Sequence, residues 1–164
     1  MNLIVAVAEN WGIGHKNELL FRISNDLKNF RKITKDKVVV MGHNTFKSLP
    51  GSQPLKNRTN IVLSRDKGLS IPGVVVCNSL DELLVKTDKY NTCDVFVIGG
   101  EVIYTTLLNH CKKAYITKVK ATVPADTFFP NVDEMEQWKL TEASEEMEQE
   151  GLKYTFCVYE NMGK

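Results

Sequence analysis

Residues 95–104 read VFVIGGEVIY. An unbroken apolar run, Val95–Ile98, stops at Gly99-Gly100, and a new apolar pattern with a helical period begins at once over Glu101–Leu108. A glycine weakens a strand or helix interior by roughly 0.5–1 kcal/mol relative to alanine. Two in a row therefore mark one of two things. Either the turn needs backbone angles that exclude a side chain, or another molecule comes close to the backbone there. A short strand that is apolar along its whole length and runs into a helix is the repeating unit of a covered parallel sheet.

The same unit recurs on either side. Leu3–Ala8 is a short branched run bounded by polar residues and predicts a buried strand. Val38–Met41 is another, ending in Gly42, and Asn60–Leu63, Val74–Val76 and Ala114–Val119 complete the series. Ser24–Lys35 predicts a helix with Ser24 as N-cap. Ser79–Lys86 predicts a shorter one capped by Ser79, with Leu80, Leu83 and Leu84 on one face. The rhythm breaks near the end. Lys139–Glu142 and Lys153–Tyr159 read as late strands, the second alternating at Leu152, Tyr154, Phe156 and Val158, with the acidic EEMEQEG between them as a solvated loop. The expected fold is α/β: a single domain, 1–164, with a mostly parallel central sheet of about eight strands, helices on both faces and an antiparallel C-terminal edge strand.

Bulk properties narrow the function. The 164 residues suit one domain with a substantial core, and 43% hydrophobic with 25% charged residues is ordinary globular composition. A formal net charge of +1 gives no reason to expect nucleic-acid or membrane binding. The N-terminal MNLIVAVAEN has no basic leader and does not read as a signal peptide. Cys77, Cys93, Cys111 and Cys157 are widely spaced without a C-x-x-C pair, which predicts reduced, buried thiols in the cytoplasm.

Chemistry concentrates in a few places. Gly99-Gly100 lies at the carboxyl end of a strand and before a helix, where open α/β sheets bind ligands; the alternative is a tight turn with no ligand. Gly12-Ile13-Gly14 begins like a dinucleotide fingerprint but does not continue as one. The irregular stretch Glu9–Ile23 has the length of a lid or binding loop. Asp26 shares a helical face with Phe30 and Ile33, so its carboxylate needs a partner or a raised pKa, unless it only favours the positive helix N-terminus. Arg58 and Ser64-Arg65 flank one strand and suit oxyanions, or are solvated arginines. No P-loop and no nucleophile elbow is present, and His15, His43 and His110 lack metal-ligand spacing.

Taken in order, these segments resemble dihydrofolate reductase over nearly the whole chain, Leu3 to Tyr159. LIVAVAENWGIGHKNELLF is similar to that family's first strand and mobile loop, DLKNFRK to its carboxylate-bearing helix, and VVVMGHNTFKSL to the strand and helix beneath the cofactor. LKNRTNIVLSR is similar to the stretch holding the glutamate arginine and the cofactor-phosphate site, and VIGGEVIY to the glycine pair; YITKV and ADTFFP follow in the family's order. The resemblance implies NADPH as cofactor, dihydrofolate as substrate and no metal. It also implies binding of diaminopyrimidine and diaminopteridine antifolates, and a cytoplasmic monomer that engages neither nucleic acid nor membrane.

Residue by residue, the resemblance gives Asp26 the pterin N3 and 2-amino group, with Thr117 in support. It makes Ile4, Ala6, Leu27, Phe30, Leu49 and Ile98 the walls of the substrate pocket, with Tyr104 nearby. Leu55 packs on the aminobenzoyl ring, and Arg58 clamps the α-carboxylate of the glutamate tail. Ala6, Ile13, Gly99 and Gly100 meet nicotinamide and pyrophosphate, Thr45 the phosphates, and His43, Ser64 and Arg65 the 2′-phosphate. Gly14, Leu19, Gly42, Asn44, Leu63, Ile98, Glu101, Val102, Ile103 and Tyr104 complete the cofactor's surroundings. Asp26 is expected to polarise the pterin while water admitted by the loop at Leu19 protonates N5; Asp26, Leu19 and Phe21 are the catalytic set. Two positions depart from the family pattern. Leu20-Phe21 stands for the usual Pro-Trp and lacks the indole N–H. His43 stands where arginine is common, and a neutral imidazole is the weaker phosphate ligand.

Two other readings compete. A reductase of the same fold acting on a pyrimidine intermediate of riboflavin synthesis would not need the Leu55 and Arg58 pair. A silent nucleotide-binding domain would keep Gly99-Gly100 and Arg65 but have no use for Asp26 on an apolar face.

Overall fold

The computed structural model describes residues 1–163. In chain order its elements are β1 (Asn2–Val7), β2 (Gly12–His15), β3 (Glu18–Leu19), α1 (Ser24–Thr34), β4 (Val38–Gly42), α2 (His43–Ser48), β5 (Thr59–Leu63) and β6 (Val74–Cys77). Then come α3 (Leu80–Asp88), β7 (Val95–Gly99), α4 (Glu101–Leu107), β8 (Lys113–Val119), β9 (Thr127–Phe128), β10 (Trp138–Ala143), β11 (Met147–Gln149) and β12 (Leu152–Asn161).

The main sheet runs β10-β12-β8-β1-β7-β4-β5-β6, with β11 paired to β12. From β8 to β6 every neighbour is parallel, while β12 is antiparallel to both β8 and β10. The antiparallel C-terminal strand is thus second from the edge, and β10 forms the border. Alternate residues of each strand feed two cores. Leu3, Val5 and Val7 of β1 with Val95 and Val97 of β7 pack against Leu83 of α3 and Ile103, Tyr104 and Leu107 of α4. Val39, Met41 and Val62 face the other way, against Phe46 of α2 and Ile98. Helices therefore lie on both faces, as continuous apolar strands require.

Five local expectations are revised. Ser24 is the first helical residue rather than the cap; Ile23 caps α1 without a side-chain bond of its own, and the Asn25 amide donates to Gln149 Oε1 at 2.8 Å. Ser79 does cap α3, its hydroxyl accepting from the Glu82 amide. The stretch 9–23 is not wholly irregular: β2 and β3 join β9 in a small sheet of order β3-β2-β9. The acidic EEMEQEG is not simply a loop, because Met147–Gln149 pairs along β12. In β12 itself the most buried side chains are Tyr154, then Cys157, Tyr159 and Asn161, so burial changes faces along the strand rather than following the even positions. Three cysteines are buried, but Cys93 is exposed. No helix among the described residues is long and apolar enough to cross a membrane.

Candidate active site

The site follows from how the parallel ladder ends. The β1–β8 pairing continues from Asn2/Lys113 to Val7/Lys118, whereas the β1–β7 pairing has only Asn2/Phe96 and Leu3/Val97. Beyond Leu3 the two strands part, opening a crevice at their carboxyl ends, the usual ligand position in such sheets. Where they part, the buried Tyr104 hydroxyl donates to the Ile4 carbonyl at 2.7 Å. Burial holds the Tyr104 phenol well above its ordinary pKa, so it stays a neutral donor. Its ring packs edge-on to Phe129 in the core of the opposite face.

The crevice face carries the even residues of β1, Ile4 and Ala6, and Thr117 of β8, which is in register with Ala6. Asp26, in the first turn of α1, reaches this face: the Thr117 hydroxyl donates to its Oδ1 at 2.6 Å. Burial raises the Asp26 pKa, and the Thr117 hydrogen bond opposes that rise. Leu27, Phe30 and Ile33 are partly buried on the following turns. At the far end of α1, Thr34 is fully buried and accepts from Arg58 Nε at 3.2 Å. Asp26 and Thr34 are eight residues apart, roughly 12 Å along a helix axis. A ligand touching both ends must be elongated, with hydrogen-bond donors at one end and an anion at the other. Leu49, Leu55 and Ile98 line the same face of the sheet, packed on the Val39–Met41–Phe46–Val62 core.

A second row of residues stands at neighbouring strand ends. Met41 is in register with Gly99, and Gly42, one residue on, with Leu63, so Gly99, Gly42 and Leu63 lie at neighbouring strand ends. Gly99 has φ +140°, a backbone conformation that side chains rarely adopt, and a cis peptide joins it to Gly100. A Cβ on either glycine would come within 3.2 Å of Thr45 Oγ1. Bare backbone and a hydroxyl thus form a cradle that any side chain would fill. Past Leu63, Ser64 is partly buried and Arg65 is exposed, beside His43 and Asn44 at the start of α2. The Ser64 carbonyl accepts from Asn78 Nδ2 at 2.9 Å, which fixes the turn that carries Arg65. Phosphate oxygens and a flat ring are what such a row can hold: donors and one guanidinium outside, unobstructed backbone inside.

The small sheet lies over this end of the molecule. Asp126 accepts from the Lys16 amide at 2.9 Å, and its own amide donates to the Gly14 carbonyl. Asn17 Nδ2 donates to the Asn44 carbonyl at 3.1 Å, and Glu101 accepts from the Phe128 amide at 3.2 Å. Through these contacts Ile13 and Gly14 are brought to the start of α2 and α4. Leu19 is 55% exposed on β3, and Phe21 packs with Ile23, Val119 and Tyr154 beside the crevice. Val102 points outward at 70% exposure, while Ile103 is buried against Gly42. Sequence reasoning assigned no role to Thr34, Asn17 or Asp126; only the quoted ADTFFP segment pointed toward the last.

A separate cavity of about 330 Å³ is lined by Val7, Glu9, Trp11, Lys118, Asp133 and Tyr154 among others. Its two lining lysines are already committed: Lys118 pairs with Asp133 at 2.7 Å and lies over the Trp11 and Tyr159 rings, and Lys120 pairs with Glu146 at 3.6 Å. The crevice, with an acid and an arginine at the two ends of α1, has the more complete chemistry.

Comparison with known proteins agrees. A family model described as dihydrofolate reductase matches residues 1–161. The chain is 32% identical to dihydrofolate reductase of Aedes albopictus, over 99% of this chain and 98% of that one. It is 35% identical to the Bacillus subtilis enzyme, over 98% and 94%. Among solved structures it resembles dihydrofolate reductase from Enterococcus faecalis complexed with NADP(H) and RAB-propyl, at TM-score 0.87 and 33% identity, covering 97% and 94% of the two chains.

Proposed function

The chain belongs to the dihydrofolate reductase family, and from that premise we infer what its own residues do in the reaction. The protein reduces 7,8-dihydrofolate to 5,6,7,8-tetrahydrofolate with NADPH, supplying one-carbon metabolism, and binds antifolates. We propose that residues 1–164 act as one domain, as a monomer, in the cytoplasm.

The observation that carries the assignment of roles is the Asp26–Thr117 pair on the face where β1 leaves β7. Thr117 fills one acceptor position of Asp26 Oδ1, leaving both carboxylate oxygens able to accept from the N3 and 2-amino hydrogens of a pterin. Ile4, Ala6, Leu27, Phe30, Leu49 and Ile98 enclose the ring, Leu55 meets the aminobenzoyl group and Arg58 the tail carboxylate. NADPH, when bound, supplies the hydride that substrate C6 receives. The Gly99–Thr45 cradle fits its phosphates and nicotinamide, and Ser64 and Arg65 fit the 2′-phosphate, with His43 a weaker third ligand. Asp26 polarises the pterin while water entering beside Leu19 delivers the proton to N5. The small sheet, latched by Asp126 and Asn17, excludes bulk water from the two rings.

Amide chemical-shift mapping tests these roles. Folate should move signals along β1, α1 and residues 55–58, and NADP⁺ those of residues 42–45, 63–65 and 98–101. Shifts confined to the cavity around Lys118 would overturn the assignment.

A further inference from the structure

Arg58 is already bonded within the protein, and the way it is bonded selects how it meets a ligand. Nε donates to Thr34 Oγ1 at 3.2 Å, one terminal nitrogen to the Lys56 carbonyl at 2.7 Å, and the other to the Arg31 carbonyl at 3.4 Å. Burial and the neighbouring Arg31 charge lower its pKa from the ordinary value, yet a guanidinium remains cationic. Of its five N–H donors three are spent, leaving one on each terminal nitrogen. Those two form the end-on fork that pairs with a single carboxylate. The side-on approach, through Nε and its neighbour, is closed by Thr34 and Arg31.

Thr34 is the keystone of this arrangement. It is fully buried, and its hydroxyl donates to the Phe30 carbonyl at 2.8 Å while accepting from Arg58. That first bond fixes the hydroxyl rotor, so a lone pair faces Nε. The other two anchors are backbone carbonyls that no substitution removes; Thr34 is the one side chain that orients the fork. We propose that Thr34 is a positioning residue for substrate recognition: it holds Arg58 so that one carboxylate of the substrate's tail is taken end-on. This rests on the assignment of Arg58 to the substrate tail made above.

The test measures KM and kcat for 7,8-dihydrofolate and for a dihydropterin without a tail, in the parent, Thr34→Val, Thr34→Ser and Arg58→Leu. Thr34→Val should raise KM for dihydrofolate roughly fivefold or more, the effect of one lost hydrogen bond. Its kcat, and its KM for the tail-less pterin, should stay within about twofold, the scatter of a change without a lost contact. Thr34→Ser, which keeps the hydroxyl, should restore KM for dihydrofolate. In an Arg58→Leu background Thr34→Val should add nothing. If Thr34→Val does not fold, Thr34→Ala carries the same comparison. Equal KM changes for both substrates, or an additive loss on Arg58→Leu, would overturn the role of Thr34 while leaving Arg58 in place. An Arg58→Leu enzyme that loses both substrates alike would instead remove the tail assignment itself, and the positioning role with it.

Discussion

Asp26→Asn should move binding and stability in opposite directions. In the parent, Thr117 donates to Asp26 Oδ1, and the carboxylate has further acceptor positions on both oxygens for a ligand's two N–H groups. On the roles proposed above, a 2,4-diaminopyrimidine would take up a proton and bind there as a cation. Asparagine keeps one acceptor oxygen but turns the other position into an NH₂ that faces the ligand's own donor. At least one charge-assisted hydrogen bond is lost, roughly 1.5–3 kcal/mol, or about 10- to 150-fold in Kd. Calorimetric titration of the inhibitor into both proteins reads this directly. Stability should change the other way. Burial raises the Asp26 pKa above its ordinary 3.8, so the folded state holds that proton more tightly than the unfolded chain. The parent therefore loses stability as pH rises from 3.8 through the raised pKa, and Asp26→Asn does not. The variant should melt higher than the parent at neutral pH, and the difference should vanish below pH 3.8. An affinity loss under ~10-fold (about 1.4 kcal/mol), or a variant less stable than the parent at neutral pH only, would refute the reasoning.

Arg65→Ala should raise KM for NADPH while leaving NADH nearly unchanged; equal losses would remove Arg65 from the 2′-phosphate. Asp126→Ala deletes the acceptor of the Lys16 amide, so hydrogen exchange at residues 12–19 should quicken and hydride transfer slow severalfold, with β1 and β8 amides unaffected. Of the four thiols, Cys93 alone is exposed, and burial raises the pKa of Cys77 and Cys157. A thiol reagent should therefore label one cysteine quickly and the rest only on unfolding, as mass spectrometry of the native protein would report.

The legible parts of this fold were those where burial dictates residue type. Val95–Ile98, Val38–Met41 and, after Asn60, Ile61–Leu63 are apolar on successive residues because both sheet faces are covered, and each became a parallel strand within a residue or two. The glycine pair was legible for the same reason in reverse: a Cβ there would crowd Thr45. The small sheet was hidden because β2, β3 and β9 are only two to four residues long and are held by backbone bonds to glycines and polar residues, which leave no hydrophobic period. The strand at Met147–Gln149 pairs along one side of β12 in the same unpatterned way. Asp26 stood out as a carboxylate on an apolar stripe. Thr34 did not, because a buried threonine at the end of a helix carries no signal until the partner that meets its hydroxyl, 24 residues onward, is placed beside it.

The central claim is tested most directly by following NADPH absorbance as 7,8-dihydrofolate is added to the folded protein. The expected result is a fall in absorbance that requires both reactants, proceeds mole for mole, and stops when a diaminopyrimidine is added. Folded protein that leaves NADPH unchanged with dihydrofolate, or consumes it only with a tail-less pyrimidine, would contradict the claim.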